Sequence, residues 1–158
     1  MTDPSDSAER VRQLNDAFRR SFVGGVVVVT TGFESLPAER RRAILAKIRA
    51  FEEFDEDNDP HGEHDLGLVE VGGVCCLWKI DHYDKEMELM SADPANPEVT
   101  TRVLTVMLAD EYRSGGAKSR NTRWLRAASP ALRSGSCRSS KSPHWRPPSA
   151  SAPTFLPP

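Results

Sequence analysis

No apolar run approaches the ~20 residues needed to cross a bilayer, and the opening Met1-Thr-Asp-Pro-Ser-Asp is polar and acidic, unlike a secretory leader. A membrane span and a leader are therefore not expected, and the expected compartment is the cytoplasm. Cysteine is scarce as well. Cys75, Cys76 and Cys137 form neither an even-numbered disulfide framework nor a CxxC pair, so Cys75 and Cys76 are read as reduced strand residues. There is no GxSxG elbow to raise a serine nucleophile and no HExxH pair to seat zinc. Acid is missing from one region only: residues 114–158 hold 8 basic residues and no Asp or Glu. Residues 1–113 hold all 23 acids against 13 Lys and Arg, a net charge of −10.

That asymmetry divides the chain. At 158 residues and 38% hydrophobic content the sequence suits one soluble domain, slightly poor in apolar side chains. The domain is assigned to 1–113. The basic, Ser-, Arg- and Pro-rich tail over 114–158 shows no sustained period and cannot bury enough apolar surface to offset ~1–2 kcal/mol of backbone ordering entropy per residue. Disorder is expected there. The same composition is typical of a GC-rich gene translated in a shifted frame. As a functional element the tail would be a basic arm on nucleic acid phosphates.

Within 1–113 the hydrophobic pattern gives an α+β fold, a small mainly antiparallel sheet with helices packed on it in the order αβαβββα. Asp6-Ser-Ala-Glu9 has capping-box spacing, and Val11, Leu14, Phe18 and Phe22 place an apolar stripe on a helix from about Ser7 to Ser21, stopped by Gly24-Gly25. Val26–Thr31 reads as a buried strand. Pro37 opens a second helix with Ile44, Leu45, Ile48 and Phe51 inward, while Arg40, Arg41, Arg42 and Lys47 form a solvated face. Gly72-Gly73 is suited to a two-residue turn that pairs residues whose numbers sum to 145. Val69, Val71, Val74, Cys76, Trp78 and Ile80 then share the core face, Gly67 leaves room for the Trp78 indole, and His64 falls opposite Asp81. A third strand is expected at Lys85–Met90. Asn96 and Pro97 would start a last helix whose buried stripe is Val99, Val103, Met107 and Leu108.

The chemistry concentrates in Asp57-Asn-Asp-Pro-His-Gly-Glu-His-Asp65 and Trp78-Lys-Ile-Asp-His-Tyr-Asp84, which carry three of the four histidines. Three readings stay open. In the first, Asp57, Asn58 and Asp59 cap turns and His64 bonds Asp81 to hold the hairpin's open end. In the second, His61, His64, Asp65 and Asp81 are candidate ligands for a divalent metal, with Glu63, His64 and Asp81 as candidate catalytic residues of a metal-dependent hydrolase or nuclease; Glu63 would take the proton of a metal-bound water. In the third, a His–carboxylate pair acts as acid and base without metal. No cofactor is required by any motif. The alternative to an enzyme is a binding face made of Asp57, Asp59, His61, Asp65, Trp78, His82 and Asp84.

Taken in order, Leu14–Arg19, Asp57–Asp65, Trp78–Asp81, the Asp93-Pro turn and Thr100–Tyr112 resemble domain-of-unknown-function family 3768, an uncharacterised bacterial family frequent in alphaproteobacteria and on plasmids. The resemblance implies no reaction. It does imply a chain that stops soon after Glu111-Tyr112, which marks the 46 residues beyond as an extension of unrelated composition, out of frame or non-native. The leading expectation is thus a small cytoplasmic accessory protein that binds a macromolecule through an acidic loop-hairpin face. The expected partner is a protein; nucleic acid is expected only through the tail, membrane not at all, and oligomeric state is left open.

Overall fold

The computed structural model describes residues 4–114 as α1 (Pro4–Ser21), β1 (Gly25–Val29), α2 (Thr31–Glu34), α3 (Ala38–Arg49), β2 (Leu66–Val71), β3 (Val74–Tyr83), β4 (Thr101–Leu108) and α4 (Ala109–Ser114). One open sheet carries the strands in the order β1-β4-β3-β2, antiparallel except where β1 runs parallel to β4. The fold is α+β, as the pattern predicts. The tail expected to be disordered over 114–158 lies, Ser114 aside, outside the described residues. Among the described residues no helix is long and apolar enough to cross a membrane.

Apolar spacing builds α1, with Val11 and Phe18 buried and Phe18 packed in the core with the sheet. The helix begins at Pro4, earlier than expected, so Asp6 is not a cap but a first-turn carboxylate, where the helix dipole favours it. At its other end Phe22 turns left-handed, φ 58°, and returns its N–H to the Phe18 carbonyl. β1 follows at the edge of the sheet, half-buried rather than fully covered. Thr30 N–H makes the last bond to β4, at the Val106 carbonyl, and the Thr30 side chain then caps the single turn α2, which ends the strand.

In α3 the stripe of Ile44, Ile48 and Phe51 is buried as expected. Its basic run is only partly solvated: Arg40 donates to the Gly72 carbonyl at 3.0 Å and Lys47 to the Glu70 carbonyl at 2.8 Å, tying the helix to the hairpin.

The hairpin takes the expected register, from Leu66 opposite Lys79 to Val71 opposite Val74. Gly72 and Gly73 both have positive φ, 56° and 79°, as a type I′ turn requires. Gly67 is needed for space, since a Cβ there would stand 2.6 Å from the Trp78 indole nitrogen. Trp78 is fully buried at the centre of the core, meeting Phe51 and Phe54 edge to face. Around it pack Phe18, Phe33, Ile44, Ile48, Val69, Cys76, Ile80, Leu104 and Val106. A smaller cluster, Leu66 and Leu77 with Leu68, Met107 and Tyr112, covers part of the opposite face.

Two expectations fail here. Residues 85–90 are a turn joined to β3 by one isolated bridge, Tyr83 to Met90, because the Asp84 carboxylate captures the backbone N–H groups of Glu88 and Leu89. The expected last helix is instead β4, a central strand between β1 and β3, and Val99 is exposed. Its run Thr101–Leu108 is rich in Thr and Val and packed on both faces, which suits a strand. Of the two cysteines expected to be reduced, Cys76 is free and buried, its thiol pushed up to about 12 by burial and by Glu111, whereas Cys75 is disulfide-bonded.

Candidate functional site

Two loops, residues 50–65 and 84–100, leave the same end of the sheet, where β2 begins, β3 ends and β4 begins. The first loop is held by its own short polar side chains. Asp55 Oδ1 accepts from the N–H groups of Asp57 and Asn58, Asn58 Nδ2 donates to the Glu53 carbonyl, and Asp59 Oδ1 accepts from the N–H groups of Glu63 and His64. Asx-type bonds of this kind replace a ladder and fix the path of the chain.

The end of that loop is then fastened to α1. His64 adopts φ 52°, stacks on Phe54 with centroids 3.7 Å apart, and sets Nδ1 3.0 Å from Asp16 Oδ2. Asp59 Oδ2 lies 3.7 Å from the other ring nitrogen. Asp16 also accepts from Arg19 at 2.8 Å. Arg19 is completely buried; it donates further to the carbonyls of Ile48 and Arg49 at the end of α3, and its guanidinium lies 5.5 Å from the ring centres of both Phe54 and Trp78. Burial works against the Asp16 carboxylate, but the bonds from Arg19 and His64 outweigh it and hold Asp16 below the usual range. A buried guanidinium thus closes the carbonyl end of one helix while gripping the carboxylate that receives His64.

Asn15, one residue earlier and fully buried, joins both loops. Its Nδ2 donates to the Glu63 carbonyl at 2.9 Å, which leaves Oδ1 to accept from Arg102 Nε at 3.0 Å and from His82 Nε2 at 2.9 Å. The network therefore assigns the His82 proton to Nε2. Burial, aided by the Arg102 charge, pushes His82 down to about 4, so the ring is neutral at pH 7. Arg102 extends the chain of bonds to the Pro94 carbonyl in the second loop. That loop is closed by Asp84, by Lys85 donating to the carbonyls of Pro97 and Thr100, and by Thr100 donating to the Asp93 carbonyl.

This arrangement redistributes the residues singled out from sequence. His64 and Asp81 do not meet: His64 lies with α1 on the helix-covered face, whereas Asp81 is on the other face, bonded to Lys79 at 2.6 Å. The left-handed turn at His64 ends the ladder at Leu66, so the register cannot be extrapolated to residue 64, and alternation along β3 separates 81 from 80 and 82. His61 is exposed. Among the described residues no group of three or more His, Cys, Asp or Glu side chains is arranged to hold a metal ion, so the donors His61, His64, Asp65 and Asp81 do not converge. Trp78 and His82 are buried and unavailable to a partner, and Asp84 is engaged within its own turn. Asp57 is exposed, while Asp59 is occupied by backbone N–H groups. Asp65 is half-buried, and burial together with Glu63 and Asp59 raises it to about 6. Glu63 is raised as well, by burial and then Asp59, against the influence of His61.

Sequence reasoning overlooked Asn15, Asp16, Arg19, Phe54 and Arg102. A signal was present, since Val11, Asn15, Arg19 and Phe22 follow one another at helical spacing and set two polar residues in an apolar stripe. Glu111 was missed too; its buried carboxylate accepts from Thr30 Oγ1 and from the N–H groups of Gly32 and Leu108, stapling α4 to the start of α2.

The model of a family described as protein of unknown function (DUF3768) matches residues 29–111, a span that includes both loops and leaves out α1. No curated protein and no solved structure gives a match.

Proposed function

The chain belongs to the family of unknown function DUF3768, and from that premise, which brings no reaction with it, we propose a small cytoplasmic accessory protein that binds a basic macromolecular partner, most simply a protein, through the acidic loop at the hairpin's open end. One observation carries this reading: residues 50–78 contain nine acids and no Lys or Arg. Glu53, Asp55, Glu56 and Asp57 are exposed, and they stand on a backbone fixed by Asp55, Asn58, Asp59 and α1. A concentrated single-sign field on a rigid support speeds encounter with an opposite charge and rejects like-charged surfaces. The metal-dependent hydrolase reading draws less support, because its proposed ligands are divided between two faces of the sheet.

The test is affinity enrichment from cells that natively express the chain, using the wild type, Glu56→Lys/Asp57→Lys, and Glu34→Lys/Glu39→Lys as an equal charge change elsewhere. A partner held by the wild type and the control but lost from the loop variant is the expected result. Equal retention by all three contradicts the proposal.

A further inference from the structure

We infer that the segment recognised by this face is cationic and amphipathic, its apolar side seated on the turn from Met87 to Met90 and its basic side chains on the acids of the two loops. This rests on the acidic-face reading and adds the apolar half of the contact. Met87, Leu89 and Met90 are 42%, 71% and 65% exposed, three large apolar side chains within four residues. The turn displaying them is ordered: Asp84 accepts from the N–H groups of Glu88 and Leu89, Asp84 N–H donates to the Leu89 carbonyl, and Met87 sits at φ 59°. A fixed turn that presents methionine and leucine to water suits a partner's apolar stripe, and methionine adapts to varied shapes.

Charge identifies that partner. Residues 52–65 and 84–99 together hold 13 acids and a single basic residue, Lys85, whose ammonium is engaged by the Pro97 and Thr100 carbonyls. An apolar patch with this surround disfavours nucleic acid and anionic lipid and selects a segment carrying both Lys or Arg and apolar anchors. Docking of a second copy through its own 1–113 domain is disfavoured by like charge, since residues 1–113 carry a net −10. The two loops act together because Asn15 bonds the Glu63 carbonyl on one side and, through Arg102, reaches the Pro94 carbonyl on the other.

The probe is a fluorescein-labelled synthetic peptide of leucine and lysine with leucines at i, i+3, i+4 and i+7, titrated into the full chain beside an oligolysine of equal charge. The peptide is expected to bind about tenfold or more tightly than the oligolysine, and Leu89→Ser/Met90→Ser to bring it to the oligolysine level without altering oligolysine binding. Leu89→Asp alone should act in the same direction. Glu56→Lys/Asp57→Lys should weaken both probes. If the Leu89 and Met90 variants leave peptide affinity unchanged while the charge variant weakens both probes, the inference is overturned and the acidic-face reading stands. If no variant weakens either probe, both fall. Peroxide oxidation of Met87 and Met90 identifies other occupants: shielding in the monomeric full chain assigns the surface to the chain's own basic tail, and shielding that grows with concentration assigns it to a second copy. Either outcome overturns the inference.

Discussion

His64 Nδ1 stands 3.0 Å from Asp16 Oδ2, a contact that spans 48 residues of sequence and pins the acidic loop to α1. Because Asp16 also neutralises the buried Arg19, its removal should cost more than one surface hydrogen bond. Asp16→Ala is expected to lower unfolding free energy by about 3 kcal/mol. A double-mutant cycle with His64→Ala should show a coupling of at least about 0.5 kcal/mol. Strict additivity in urea denaturation would show that the pair is not coupled.

Asn15 satisfies three partners at once, so Asn15→Leu leaves the Arg102 Nε–H, the His82 Nε2–H and the Glu63 carbonyl without it. The expected loss is about 3 kcal/mol or more. Amide hydrogen exchange should accelerate in both loops, 55–65 and 84–100, despite their separation in sequence. Acceleration in the first loop alone would mean that Asn15 does not join them.

Asp65 and His82 titrate in opposition. Burial, with Glu63 and Asp59, raises Asp65 from 3.8 to about 6, so the folded state holds that proton more tightly and stability falls as pH rises from about 4 through about 6. Burial, with Arg102, lowers His82 from 6.5 to about 4, so its contribution is present above 6.5 and is lost as pH falls toward 4. Each displacement corresponds to about 3 kcal/mol, and the two slopes largely cancel. Asp65→Asn should therefore give stability that rises with pH across this window, and His82→Gln stability that falls. Urea midpoints between pH 4 and pH 7 check this, and parallel profiles for the two variants would contradict it.

Gly67→Ala places a methyl group 2.6 Å from the Trp78 indole nitrogen in the middle of the core. The expected cost is about 1–3 kcal/mol. Trp78→Leu, itself destabilising, should absorb much of the added methyl, so the double variant should lose less than the sum of the singles. A neutral Gly67→Ala would contradict the close approach of strand and indole.

The hairpin was legible because two signals agreed: a diglycine turn fixes its register and an alternating pattern fixes its inward face. β4 was not, since in and just before this stretch packed on both faces Val99, Val103 and Met107 happen to recur at helical spacing, and Asn96-Pro97 upstream imitates a helix start. The turn over 85–90 escaped notice because the choice between strand and loop lay with the Asp84 side chain rather than with propensity. The acidic loop was recognisable as a chemical concentration, but its geometry was not. The positive φ at His64 ends the ladder; of the residues that receive the loop, Asn15 stands out only as a polar side chain in an apolar stripe, and Asp16 looks like an ordinary solvent-facing position until the loop is laid over it.

Backbone chemical-shift mapping gives the most direct test of the central claim, that two loops joined through Asn15 form one face for a basic partner. When the isotopically labelled full chain is titrated with the leucine–lysine peptide, perturbations should concentrate in residues 52–64 and 84–99 and spare the exposed side of α3. Shifts spread evenly over acidic residues throughout the domain, or centred on an edge strand, would contradict it.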